Sequence, residues 1–368
     1  VNHKLALLPT LIPLGLFIYF VRFIGEVSNK EFIHKTYEWI PSLGVNLSFT
    51  LDGLSLLFSL LITGIGTLVF AYTSGYLKGH EYLDRFYGYL SIFMGAMLGL
   101  VLSDNLISLF VFWELTSISS FFLIGFNNTS EASRKSALTA LGITGIGGLL
   151  LLGGGIVLGN ISGTYSITEM LAQKDLIQGH EHYILAACLI FGAAFTKSAQ
   201  FPFHFWLPGA MKAPTPVSTY LHSATMVKAG VYLLFRMSPL MGSTSFWNNT
   251  LLIVGLITMV YSAFHSIFRT DMKGILAYTT ISALGILVFL IGLGTKYAFL
   301  AASVFIIVHA LYKATLFLVT GIIDHQAGTR DVTKLAGLRK IMMPVAIAGI
   351  LAAISSAGIP PTIGFLGK

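Results

Sequence analysis

One carboxylate and four amines stand inside otherwise apolar stretches of the chain. Glu114 lies within Phe110-Val111-Phe112-Trp113-Glu114-Leu115, and Lys197, Lys228, Lys313 and Lys368 each interrupt an apolar run. A charge at the centre of a bilayer costs about 2.5–3.5 kcal/mol on insertion scales, so five such groups need a reason. Groups that gain and lose protons, set in a row, can pass protons along it. A lysine close to Glu114 would make the two a coupled pair near a protonation switch. Plainer readings exist for the same residues. Lysines near helix ends snorkel to the interface. A Glu–Lys contact can simply join two helices, although such pairs stabilise poorly beside apolar packing.

Histidines extend the row. His309 and Lys313 stand at i and i+4, on one face of a helix. His309 alone would read as a satisfied core histidine; beside Lys313 it reads as a relay group, because its ordinary pKa is about 6.5. His222 and Lys228 share one apolar run. Six positions place them about 120° apart on a continuous helix, facing different neighbours. Other histidines carry less. His180-Glu181-His182 sits in a loop with no third ligand, so no metal site is expected. His265 and His325 read as interfacial, and His204 reads either way.

These residues need elements that hold them in a membrane. The chain is 55% hydrophobic and 10% charged over 368 residues, with mean hydropathy +0.81. A soluble domain carries about 25% charged residues. A soluble enzyme, a disordered regulator and a fibrous protein are therefore excluded, and the class is an all-α polytopic membrane protein. The basic residues behind the net charge of +7 are scattered singly, so no nucleic-acid partner is expected. The lone Cys188 excludes disulfides and cysteine-ligated clusters in this chain. Apolar runs predict about eleven spans, from Leu5–Ile24 to Met342–Leu366. Glu114 falls in Leu106–Phe126, Lys197 in Tyr183–Ala199, His222 and Lys228 in Val217–Phe235, and His309 and Lys313 in Tyr297–Ile323.

Two spans read as broken: Tyr183–Ala199 runs into Phe201-Pro202-Phe203, and Met342–Leu366 contains Gly358-Ile359-Pro360-Pro361. Such breaks are tolerated at membrane depth only where they line protein or water, and they point to a transporter with sites near them. The connectors Gly25–Asp52 and Gly159–His182 are long enough for a short surface helix. Asp52 and Asp104 sit at span edges and read as caps or interface residues. The Gly145–Gly155 cluster reads as close helix packing. Counting loop Lys and Arg by alternation gives twelve on one side, Lys4 and Lys273 among them, and six on the other, including Lys30. The richer side is cytoplasmic by the positive-inside rule. The chain begins with Val and ends within an apolar segment, so both ends read as trimmed.

Several motifs carry a resemblance. Phe112-Trp113-Glu114-Leu115, Lys197-Ser198-Ala199-Gln200-Phe201-Pro202, Trp206-Leu207-Pro208-Gly209-Ala210-Met211 and Ala213-Pro214-Thr215-Pro216-Val217-Ser218 resemble the antiporter-like subunits of respiratory complex I. So does His222-Ser223-Ala224-Thr225-Met226-Val227-Lys228, and the match covers nearly the whole chain. Gly95-Ala96-Met97-Leu98-Gly99 and Ser103-Asp104-Asn105-Leu106 look most like the A-type branch of Mrp multisubunit sodium/proton antiporters.

The resemblance implies one antiporter-like transmembrane module over residues 1–368, with two inverted five-helix repeats and the two broken helices at their centres. It implies that Glu114 pairs with the pumping lysine Lys197. His222 and Lys228 take the relay positions of the next helix, and His309 and Lys313 become the gating histidine and central lysine. Lys368, on the second broken helix, hands protons outward. The implied activity is proton relay that drives sodium efflux, in a bacterial or archaeal cell membrane. The implied partners are the other members of a multisubunit antiporter complex, protons, sodium and the lipid bilayer, with no cofactor. The alternative is a proton-pumping membrane subunit of a redox-driven complex, either complex I or a membrane-bound hydrogenase. A stand-alone channel is disfavoured because a lysine row repels cations. The family pattern also implies a span before residue 1 and a chain that continues past Lys368.

Overall fold

The computed structural model describes residues 5–29, 31–43 and 45–367. Lys4, Lys30 and the candidate Lys368 lie outside the described residues. The chain opens with α1 (Leu11–Val21) and the short α2 (Ile24–Ser28). A hairpin of β1 (Ile33–Ile40) and β2 (Val45–Leu51) follows, and then α3 (Gly53–Tyr76), α4 (Leu83–Leu102), α5 (Leu106–Ile124) and α6 (Glu131–Ser162). Two short helices, α7 (Ile167–Leu171) and α8 (Lys174–Gly179), lead to α9 (Tyr183–Lys197) and the one-turn α10 (Trp206–Gly209). Next come α11 (Thr215–Ser223), α12 (Met226–Met241), α13 (Ser245–Ile267), α14 (Met272–Gly292) and α15 (Lys296–Ala327). The chain closes with α16 (Leu338–Ile341), α17 (Met343–Ala357) and α18 (Ile363–Gly367).

Eight helices among the described residues are long and apolar enough to cross a membrane, and α9 and α17 are shorter apolar helices. With the split pair α11–α12, they account for the eleven apolar runs. The short surface helices expected in the second connector are α7 and α8. The first connector differs, because most of it is the antiparallel hairpin. Val45, Leu47, Phe49 and Leu51 alternate with polar residues, the strand period, and Pro41-Ser42 sits at the turn. The hairpin is tied down by Asp104 N donating to Ser48 O at 2.8 Å, which docks it on the segment just before α5.

Side-chain caps fix where helices begin. Asp52 forms a capping box with Ser55 at α3, Asn105 caps α5, and Ser130 caps α6. Asp104 accepts from Ser166 and Thr168, joining the start of α5 to α7. Both aspartates are thus the edge residues expected of them.

At the centre of the bundle stand α11 and α12. All nine residues of α11 are buried, and so is α12 except for Arg236 and Pro239. This pair corresponds to the run Val217–Phe235, which the sequence reads as a continuous helix. The structure breaks it at Ala224–Thr225, where Thr225 leaves the helical region with φ −125° and ψ −98°. No Pro or Gly marks the spot. Hydroxyls compete for the backbone instead: Thr225 Oγ1 donates to Tyr220 O at 2.6 Å, and Ser223 Oγ donates to Thr219 O.

The two expected breaks are present. α9 ends at Lys197, and Ala199 takes the left-handed conformation with φ +47°. Phe201 N then donates to Thr258 Oγ1 at 3.0 Å, and Gln200 Nε2 donates to Ser198 O at 2.9 Å. The freed backbone is therefore partnered inside the protein, as a non-aqueous setting demands. α17 ends at Ala357 and is capped by Gly358, with φ +73°, ahead of the double proline.

Candidate functional site

Lys197 is the last residue of α9 and is fully buried. Its Nζ donates to Ser117 Oγ at 2.7 Å and to Trp113 O at 3.2 Å, and it lies 5.2 Å from the Trp113 ring centroid. All three contacts come from α5, the helix that carries Glu114. No salt bridge joins Glu114 to Lys197 among the described residues, although each charge acts on the other. Glu114 is half-buried on α5, and its Oε1 is buried without a hydrogen-bond partner among the described residues.

From Lys197 the structure continues toward the centre. Ser198 Oγ donates to Val227 O at 2.6 Å and accepts from Val231 N at 3.0 Å, clamping the end of α9 to α12. Lys228, in the first turn of α12, is fully buried. Its Nζ reaches back across the break to Ser223 O and across to Ile306 O of α15 at 3.2 Å. The break supplies the first of these acceptors: a carbonyl released from the helix ladder binds the ammonium.

The break also changes the relation of His222 to Lys228. A continuous helix would set them about 120° apart, facing different neighbours. They stand instead on separate helices either side of Ala224–Thr225. His222 is fully buried between the rings of Trp206 and Phe317, at centroid distances of 6.4 and 6.3 Å. Neither of its ring nitrogens has a hydrogen-bond partner among the described residues. His309 and Lys313 do share one face of α15, and both are buried. Lys313 Nζ donates to Leu276 O of α14 at 3.1 Å and to Thr279 Oγ1. The structure therefore brings Glu114, Lys197, Lys228, His309 and Lys313 into one band across α5, α9, α12, α15 and α14.

A further buried amine escapes the sequence reading. Lys273 counts there as a loop cation, yet it lies in the first turn of α14, 1% exposed. Its Nζ donates to Ala213 O at 2.8 Å and Ser218 Oγ at 3.5 Å. One signal is present in the sequence. Asp271 caps the helix, so Lys273 is inside its N-terminal turn, where the helix dipole disfavours a cation.

The ends of the bundle carry clefts of different character. One, of about 530 Å³, is lined by Lys78, Lys212, Lys273, Asp324 and Arg330. Another, of about 770 Å³, is lined by Asp52, Asp104, Lys174 and Arg236. They lie at opposite ends of α3, whose 24 residues span about 36 Å. The cations of the first belong to the richer side of the loop tally, and those of the second to the poorer side. At the second end the guanidinium of Arg236 grips both oxygens of Asp52. Burial opposes ionisation of Asp52. The hydrogen bond and attraction of Arg236, with help from Ser55, outweigh it and hold the carboxyl below the usual carboxylate range.

A family model described as "NADH:quinone oxidoreductase/Mrp antiporter, TM" matches residues 103–368, covering α5 to α18 and every candidate residue. The chain belongs to this family. A second model, described as "NADH-Ubiquinone oxidoreductase (complex I), chain 5 N-terminus", matches residues 39–87. Among relatives of this antiporter family, the chain is 50% identical to the Na(+)/H(+) antiporter A1 subunit of Staphylococcus haemolyticus over 97% of its length. It is 48% identical to the protein of that name in Staphylococcus aureus, again over 97%. It spans 46% of the length of each of these relatives. Its fold superposes on the Mrp complex from Dietzia sp. DQ12-45-1b with a TM-score of 0.87 and 40% identity, covering all of this chain and 42% of the other. The membrane-bound sulfane sulfur reductase, an archaeal respiratory membrane complex, shares the fold at a TM-score of 0.86 and 22% identity. That match covers 98% of this chain and 74% of the other.

Proposed function

We propose that this chain is the proton-relaying module of a multisubunit sodium/proton antiporter in the cell membrane, acting with the other members of that complex. Protons pass along Glu114, Lys197, Lys228 with His222, His309, Lys313 and Lys368, and their movement drives sodium efflux elsewhere in the assembly. Residues 1–368 act as one antiporter-like module, built on two inverted five-helix repeats. Lys273 joins the row as its connection to the cleft between Lys212 and Arg330.

The observation that carries this reading is the way the buried amines are held. Lys197, Lys228 and Lys273 each bond to backbone carbonyls or hydroxyls, and none of the three has a carboxylate within salt-bridge distance among the described residues. A neutral acceptor can hold an amine in either protonation state, whereas a permanent ion pair fixes the charge. Three amines seated this way suit transfer better than structural pairing. Identity favours the antiporter assembly: 40–50% to the Mrp-type chains against 22% to the respiratory complex.

The test is Glu114→Ala and Lys197→Ala in the whole complex. Each should abolish sodium-dependent dissipation of ΔpH in everted membrane vesicles while the complex still assembles. Normal antiport in both variants would falsify the proposed row.

A further inference from the structure

The carboxylate of Glu114 occupies a place that only a glycine leaves open. A Cβ built on Gly148 of α6 would overlap Glu114 Oε1, and would lie 2.6 Å from its Cδ. The neighbouring Gly147 plays the same part for the residue before Lys197, since a Cβ there would overlap Thr196 Oγ1. Gly145 and Gly142, about one and two turns away on α6, have open space where a Cβ would stand. Glycine inside a helix destabilises it relative to alanine, so a glycine that leaves room for a side chain opposite has a local reason to be there. At 148 that reason is the carboxylate.

Two other observations meet at this point. Glu114 Oε1 is buried in its slot without a hydrogen-bond partner among the described residues. Lys197, meanwhile, is satisfied by Ser117 Oγ and Trp113 O on the helix that carries Glu114. A carboxylate that interacted with α6 for stability would find a donor there. This one instead lies against bare backbone, while the amine it would pair with is bonded elsewhere.

We propose that Gly148 is a positioning residue whose missing side chain forms a parking slot for the Glu114 carboxyl, holding it apart from Lys197. The proposal rests on the proton-relay reading above and gives it a discrete off position. With the carboxyl parked, Lys197 rests on Ser117. When it leaves the slot, it meets Lys197 and the proton balance of the pair changes. Pairing thus becomes a step between two seats, as a two-state element requires. Because the overlapping atom is the free end of a flexible side chain, a methyl at 148 displaces the carboxyl and leaves the α5–α6 packing in place.

Gly148→Ala in the complete antiporter complex tests this. The complex should assemble, and sodium-dependent ΔpH dissipation in everted vesicles should fall by about tenfold, with its pH profile displaced, which corresponds to a bias of ~1.4 kcal/mol. Gly145→Ala, on the same helix with space to spare, should transport as the unaltered complex does. Adding Glu114→Asp to Gly148→Ala shortens the side chain by one methylene and should restore part of the lost rate. The proposal is overturned if Gly148→Ala transports normally, if its rate falls without any change in pH profile, or if Glu114→Asp gives no recovery. Should Gly148→Ala fail to assemble, Gly148→Ala with Glu114→Ala decides. Recovered assembly places the obstruction at the carboxyl, and no recovery overturns the slot. Glu114→Gln separates the two levels: normal transport there removes the relay reading itself, whereas loss there beside a normal Gly148→Ala removes only the slot.

Discussion

Lys197 donates to Ser117 Oγ at 2.7 Å, one turn along α5 from Glu114, the carboxylate that the family resemblance pairs with it. Ser117 in turn donates to Trp113 O at 3.3 Å, so hydroxyl and carbonyl form one cradle for the ammonium. The arrangement gives a buried amine a resting place that carries no charge of its own. It also leaves Glu114 to act on Lys197 from a distance.

Removing that cradle should slow transport. Hydrogen bonds to charged groups contribute roughly 1.5–3 kcal/mol, so Ser117→Ala biases Lys197 away from its rest position by an amount worth about tenfold or more in rate. Ser117→Thr keeps the hydroxyl and should retain most of the activity. The measurement is the initial rate of sodium-dependent ΔpH dissipation in vesicles. Equal rates for Ser117→Ala and the unaltered complex would take Ser117 out of the mechanism.

The Asp52–Arg236 pair yields a prediction about acid. It fastens the capping residue of α3 to the far end of α12, and Tyr232 extends the link by accepting from Arg236 Nε at 3.1 Å and donating to Val101 O at 2.8 Å. Asp52 is held below the usual carboxylate range. A group with a depressed folded-state pKa contributes its stability fully above its unfolded value, about 3.9, and loses it as pH falls through the folded value. The unaltered protein should therefore be more thermostable in detergent than Asp52→Asn at neutral pH, and the gap should close below about pH 4. A gap that stays constant to pH 3 would show that the pair contributes nothing.

Much of this architecture is legible in residue order, and the exceptions have physical causes. Glu114, Lys197, Lys228, His309 and Lys313 are visible because a charge or a titratable ring among apolar residues stands out whatever the fold. The breaks after Lys197 and at Gly358 are visible because proline cannot continue a helix. The break at Ala224–Thr225 is not, since serine and threonine interrupt a helix only where tertiary contacts favour their alternative hydrogen bonds. Lys228 reaching Ile306 O and the packed core around α11 provide that context, and neither is local in sequence. The hairpin hides in a connector whose length alone suits a short helix, although the alternation of its second strand is legible. Gly147 and Gly148 belong to a cluster that reads as packing. What distinguishes them is which side chain lies opposite, and only three-dimensional contacts reveal that.

Lys273 is the strongest case of a residue whose role its neighbours in sequence conceal. It stands two residues after Asp271, in a stretch rich in loop charges, and so counts as one more cytoplasmic cation. In the structure it lines the same cleft as Lys212, Asp324 and Arg330, and it bonds to Ala213 O. Its position is poor for stability: a buried cation in the first turn of a helix opposes the dipole by about 0.3–1 kcal/mol. Lys273→Met keeps most of the length of the side chain and removes the charge. It should leave the complex equally or more heat-stable while sodium-dependent ΔpH dissipation drops by about tenfold or more, a loss of ~1.4 kcal/mol or greater in the rate-limiting barrier. The opposed signs are what separate a transport group from a structural one. A structural lysine would lose stability and activity together, and that joint loss would return Lys273 to the scaffold.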